Sequence, residues 1–231
     1  FDFESFELMK SLLPFIAALL SLGAQAQESA SVQIRTLCFQ RDASGISKLA
    51  VVTPNQPVVE LKFPESFLSP KARVPTIEGS IIFHDPAKPG GPPIAVAKIP
   101  PGMSSAIVMF FPVEGDPNKM IYRTSVIDAS LEGIPKDGAL VMNLFSKEVR
   151  VVIGEHRVVI KPGASVGVAR PKDRNDYNMS AVVFLAEVNG EWKTASETLV
   201  RFPESQQQFF VSYPNGPSNL LAFRSFQIGN F

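Results

Sequence analysis

From residue 27 onward the chain is a succession of short runs rich in Val, Ile, Phe and Thr, cut at close intervals by Pro, Gly, Asn and Asp. β-Branched and aromatic residues fit a half-buried pleated surface, and the intervening residues favour turn conformations. Candidate strands fall at 32–40, 48–53, 58–63, 79–84, 94–99, 105–111, 120–128, 139–145, 148–153, 156–161, 165–170, 180–188, 192–202, 208–213 and 220–228. Most alternate at period two or form a brief apolar block, and no stretch joins a 3.6-residue period to helix caps. The segment Leu131-Glu-Gly-Ile-Pro135 contains both strong helix breakers and reads as a loop. This pattern predicts an all-β chain built of antiparallel sandwiches of about five to nine strands each.

Two turns are specific enough to fix strand pairings. The runs at 148–153 and 156–161 meet across Gly154-Glu155. Gly at the first central position suits a type II′ hairpin, which needs φ > 0 there. Asn189-Gly190 separates the runs ending at Val188 and beginning at Trp192, and Asn-Gly is the preferred type I′ pair. A faint internal repeat aligns the strand after Gly79 with that after Gly138, and the Pro-Gly-x-Ser turn at Gly102 with that at Gly163, at offsets near 60 residues. The expected division is therefore one sandwich over 27–128 and a second over 129–231, with one larger mixed sandwich as the alternative.

The N-terminal stretch is of another kind. Met9-Lys10 precedes an apolar run from Leu12 to Leu22, followed by Ala24-Gln25-Ala26. A basic residue, an apolar segment and an Ala-x-Ala end are the three parts of a secretory signal peptide, which enters the membrane as a helix. The run is too short for a comfortable membrane span, which takes about 20 residues. Residues 9–26 are thus expected to be the signal peptide, cleaved after Ala26, with the acidic residues 1–8 as upstream sequence. Cleavage would remove Asp2, Glu4 and Glu7 against Lys10 alone, leaving a slightly basic mature chain without a transmembrane anchor. The expected location is the periplasm or the cell exterior. In that oxidising setting the single cysteine, Cys38, sits in an apolar run and is expected to be buried.

Composition restricts the chemistry. Lys and Arg number 22 against 22 Asp and Glu, so the chain has no basic excess with which to displace counterions from nucleic acid. One Cys and two His leave no material for a Cys-rich zinc site and little for a triad. His84-Asp85 is the closest approach to a base with an orienting carboxylate. Neighbouring strand residues point to opposite faces, however, so Asp85 reads as the start of a turn. His156 falls at a hairpin tip. No nucleophile elbow, phosphate loop, dinucleotide fingerprint or His-Glu-x-x-His occurs. The polar cluster Asp173-Arg-Asn-Asp-Tyr-Asn178 lacks the Gly and terminal Glu of a calcium loop. No catalytic residue, metal ligand or cofactor is expected.

Val141-Met-Asn-Leu-Phe145, then Val149-Arg-Val-Val-Ile-Gly154, then Val158-Val-Ile-Lys-Pro-Gly-Ala-Ser165 resemble segments of uncharacterised secreted bacterial proteins with tandem immunoglobulin-like β-sandwich domains. The resemblance covers roughly residues 119–228 and carries no catalytic motif. It implies two immunoglobulin-like antiparallel sandwiches, and nothing about a site. The expected role is a non-catalytic structural or protein-interaction module, whose partner would be another envelope protein. The rival is an envelope-associated glycan-binding module with Trp192, Tyr177 and Tyr213 as contacts, since sugars stack on exposed aromatic rings. A hydrolase is the least supported of the three. Phe110-Phe111 and Phe209-Phe210 place consecutive rings on opposite sheet faces, so one ring of each pair needs cover from outside its own sandwich.

Overall fold

The computed structural model describes residues 30–54, 56–113, 120–129, 135–215 and 220–229. The segment read as leader and signal peptide, 1–26, lies outside them, as does the loop read at 131–134. Among the described residues there is no helix. The strands are β1 (Ser31–Cys38), β2 (Lys48–Val51), β3 (Val59–Lys62), β4 (Ala72–Pro75), β5 (Ser80–His84), β6 (Ala95–Lys98), β7 (Ser105–Pro112) and β8 (Tyr122–Asp128). They continue as β9 (Ala139–Asn143), β10 (Val149–Ile153), β11 (His156–Ile160), β12 (Ser165–Val168), β13 (Met179–Val188), β14 (Glu191–Arg201), β15 (Gln206–Asn215) and β16 (Leu220–Gly229).

Fifteen of these coincide with strands read from the sequence; β4 was not among those readings. It is a four-residue edge strand that pairs only with β1, carries Arg73, and ends in Pro75. Proline is tolerated there because the outer edge needs no ladder donor. Both hairpins form as the turn residues require. Ile153 pairs with His156 across Gly154, whose φ is +56°, and Val188 pairs with Glu191 across Asn189 and Gly190, at +55° and +82°.

The strands form four sheets, in the orders β4-β1-β7-β8, β3-β2-β5-β6, β12-β9-β15-β16 and β11-β10-β13-β14. The last two repeat the first two with every strand number raised by eight. Even the exceptional pairings recur: β1 runs parallel to β7, and β9 runs parallel to β15. The repeat is thus a whole set of eight strands. Val108 and Phe210 are each central in the five-residue buried stretch of β7 and β15. The 60-residue alignment suggested by sequence instead sets β5 against β9, which occupy different places in their sheets. It arose because similar apolar runs recur in nearly every strand.

Three apolar layers separate the four sheets. Val32, Ile34, Val108 and Phe110 face Leu49, Leu61 and Phe83 between the first two sheets. Val141 and Phe210 face Val151, Val182 and Phe184 between the last two. The intervening residues of the same strands point the other way. Leu37, Ile107, Met109, Leu140, Phe209 and Phe226 meet in a middle layer between the β1 sheet and the β9 sheet. Period-two alternation therefore serves two cores at once: Phe210 enters the last layer and Phe209 the middle one, each fully buried. The ring that needed cover from outside its own sheet pair finds it on the other pair. With all three layers filled, Ser31–Phe231 cluster as one compact unit. Phe67, which forms an isolated parallel bridge to Gln227 of β16, adds a backbone link across the same seam.

Candidate functional site

The middle layer does not stay closed along its full length. At the C-terminal ends of β7 and β15, residues of the two sheets line a cavity of about 660 Å³. Its apolar floor is built by four segments remote in sequence. Phe39 follows β1, Phe111 and Tyr213 lie near the ends of β7 and β15, and Leu144 follows β9. Phe39 is the hub: its centroid is 5.1 Å from that of Phe111 and 4.9 Å from that of Tyr213, the latter edge-on at 79°. Arg224 on β16 fixes Phe39 from behind. Its guanidinium lies 5.2 Å from the ring centroid and donates to the Phe39 carbonyl.

Above this floor the lining becomes polar. Arg123 is directly opposite Phe111 across the β7–β8 ladder, and its Cζ lies 5.5 Å from the Phe111 centroid. It is the charged side chain among the described lining residues; Gln40, Thr124, Ser125 and Asn215 supply amides and hydroxyls. Thr124 is already engaged, its hydroxyl donating to the Val96 carbonyl at 2.8 Å. Among the described residues, the side chains of Gln40, Arg123, Ser125, Tyr213 and Asn215 have no hydrogen-bond or ion-pair partner. An apolar floor with convergent polar groups at its rim is the usual anatomy of a ligand site, and the volume falls within the usual range of about 300–1,000 Å³.

The three aromatic residues singled out by sequence do not come together. Tyr213 alone lines this cavity. Tyr177 is 74% exposed on the turn that precedes β13. Trp192 lies at the opposite end of the β13–β14 hairpin, roughly 30 Å away by strand length, where Arg150 stacks over its ring at 4.3 Å. Nothing in the sequence marks Phe39, Phe111 or Arg123 as a ligand contact. Their only sequence signal was the Phe110-Phe111 pair, because the cavity exists only once two sheets have packed.

Among the described residues, the titratable groups that depart from ordinary behaviour lie outside the cavity; one is Arg35, lowered by burial. Burial would raise the Asp42 carboxyl, but hydrogen bonds from the Tyr122 hydroxyl and from Ser44 outweigh that and lower it. Tyr122, almost fully buried, is raised by burial and by its bond to Asp42. Burial, reinforced by Glu65 and Asp42 nearby, pushes the Cys38 thiol up to about 11, so it packs as a neutral small hydrophobe. Glu155, at the tip of the β10–β11 hairpin, is held at about 2 by the backbone N–H groups of Lys172 and Asp173.

The remaining polar motifs are turns. Asp85 Oδ1 accepts the Ala87 N–H at 2.9 Å, and His84 Nδ1 lies 3.1 Å from the Gly91 carbonyl, so the pair shapes the following loop. In the 173–178 cluster, Asn175 Oδ1 accepts the N–H groups of Tyr177 and Met179, both at 3.0 Å. Its oxygen is directed at backbone donors. Among the described residues no three His, Cys, Asp or Glu side chains converge as a metal would require, and no helix is long and apolar enough to cross a membrane. No protein-family model matches the chain, and no curated protein is significantly similar to it.

Proposed function

We propose that this chain is an exported, non-catalytic binding module made of two immunoglobulin-like β-sandwiches, acting by presenting surfaces to another component of the cell envelope. The observation that carries this reading is how its polar groups are distributed. The acids and phenol with shifted ionisation are each bonded to backbone or to one another, whereas the groups facing the open cavity are amides, hydroxyls and a guanidinium. Such groups orient and hold a ligand, and proton transfer near neutrality calls for others. The immunoglobulin-like part is supported by two eight-stranded sets of the same order, each with face-to-face sheets and a parallel pairing of its first and seventh strands. The exported part rests on the Lys10, apolar and Ala-x-Ala sequence of residues 9–26.

A glycan ligand is the favoured variant of this reading, because Tyr213 shares the cavity with Phe111 and unpaired amides. Expression of the full chain in a Gram-negative host, followed by fractionation and intact-mass analysis, tests export. The expected result is a periplasmic or external product beginning at Gln27, which leaves a panel of peptides and oligosaccharides unaltered on prolonged incubation. An uncleaved cytoplasmic product contradicts export, and turnover of any panel member contradicts the non-catalytic role.

A further inference from the structure

We infer that the open end of the middle layer is a binding site for an acidic oligosaccharide, one whose sugar rings carry carboxylates. The inference deepens the binding-module reading and rests on it. Three features select this ligand class. Phe111 and Tyr213, both half-buried, present aromatic surface at the cavity wall, and the C–H faces of a sugar pack on such surface. The rim groups without protein partners, on Gln40, Ser125, Tyr213 and Asn215, include both donors and acceptors, which suits hydroxyls that act as both. Arg123 is the charged residue among the described lining residues, none of those residues is a carboxylate that would neutralise it, and a guanidinium pairs with a carboxylate through two parallel hydrogen bonds.

The site is also pre-organised. Arg123 stands on a strand whose register is fixed against Phe111, and Phe39 is clamped by Arg224 from the other sheet pair. Floor and rim therefore come from both halves, and they are complete only while the middle layer holds those halves together. Arg123 positions the acid, and the rings with their neighbouring amides take the sugar. A neutral oligosaccharide uses only the second set of contacts and binds more weakly.

Titration calorimetry on the purified full chain tests this, using an oligogalacturonate, a neutral galactose oligosaccharide of equal length and a short acidic peptide containing tyrosine. The oligogalacturonate is expected to bind once per chain, about tenfold more tightly than the neutral sugar, and to weaken with added salt. Arg123→Gln, a change at an exposed side chain, is expected to remove that preference while keeping the residual neutral affinity. Tyr213→Ala weakens both sugars, and Trp192→Ala, outside the cavity, changes neither. The inference is overturned if the oligogalacturonate does not bind, if Arg123→Gln leaves the preference intact, if Trp192→Ala removes binding, or if the acidic peptide binds more tightly than the sugar. A partner protein captured by a chain that binds no sugar would refute this site and leave the module reading standing. Cleavage of the bound sugar would do the reverse.

Discussion

At the scale of single residues, the buried polar groups divide by whether their bonding is complete. Asn143, fully buried on β9, uses both ends of its amide. Its Nδ2 donates to the carbonyls of Lys147 and Ile160, and its Oδ1 accepts from the Phe145 N–H and the Ser212 hydroxyl. Such a residue ties three segments together and has nothing left for a ligand. Tyr122 is similar: its hydroxyl donates to Asp42 while accepting the Asp42 N–H at 3.1 Å. Tyr122→Phe keeps the ring in its cluster with Phe63 and Phe110 and removes only those bonds. The expected loss is about 1–2 kcal/mol at neutral pH, read from urea unfolding. The pH dependence has a definite sign. The Asp42 carboxyl is lowered in the folded state, so its contribution is full above the ordinary value of 3.8 and is lost as pH falls through the folded value. The difference between wild type and Tyr122→Phe should therefore narrow on acidification below pH ~4.

At the scale of elements, strand identity was legible and strand pairing only locally so. Alternation and turn residues located fifteen strands because each is decided by its own few side chains and by flanking Pro, Gly and Asn. Strand β4 escaped because Arg73 and Pro75 in four residues read as loop, and only its place at the edge of β1 makes them acceptable. The parallel β1–β7 and β9–β15 ladders join residues some seventy positions apart, for instance Gln33 with Ser105 and Ala139 with Gln208, and no local signal specifies them. The β14 edge shows how exposed strands are guarded. Its exposed residues include Glu191, Lys193, Glu197 and Arg201, and the register shifts at Phe184/Leu185, so that Ala195 is left out of the ladder.

The hairpin turns give a contrast in the cost of a methyl group. Gly154 and Gly190 both have positive φ, but a Cβ at Gly154 would lie 2.8 Å from both Pro171 Cβ and Ser180 Oγ, whereas one at Gly190 meets nothing within 4 Å. Gly190→Ala should cost only the left-handed backbone penalty, about 1 kcal/mol. Gly154→Ala should cost at least about 1 kcal/mol more, because the loop that follows β12 must also move. Equal midpoints for the two variants in denaturant titration would contradict this packing.

At the scale of the whole molecule, the middle layer connects fold to site. Sequence showed that consecutive rings at Phe110-Phe111 and Phe209-Phe210 require cover on two faces. It could not show that each pair of sheets covers the other, since that depends on complementary surfaces formed after folding. For the same reason Tyr213 was legible as an aromatic candidate, while its neighbours Phe39, Phe111 and Arg123, drawn from β8 and the ends of β1 and β7, were not. The layer's closed part holds the two sheet pairs in one orientation, and its open end is the cavity. Loss of the layer should therefore disturb stability and binding together.

Differential scanning calorimetry of the wild type and Phe209→Ala tests this coupling most directly. Phe209 is fully buried in the middle layer, and its truncation should cost about 3–5 kcal/mol. The wild type is expected to show one cooperative transition, with calorimetric and van't Hoff enthalpies equal, and Phe209→Ala two separated transitions. Two independent transitions already present in the wild type, with Phe209→Ala moving only one of them, would contradict it.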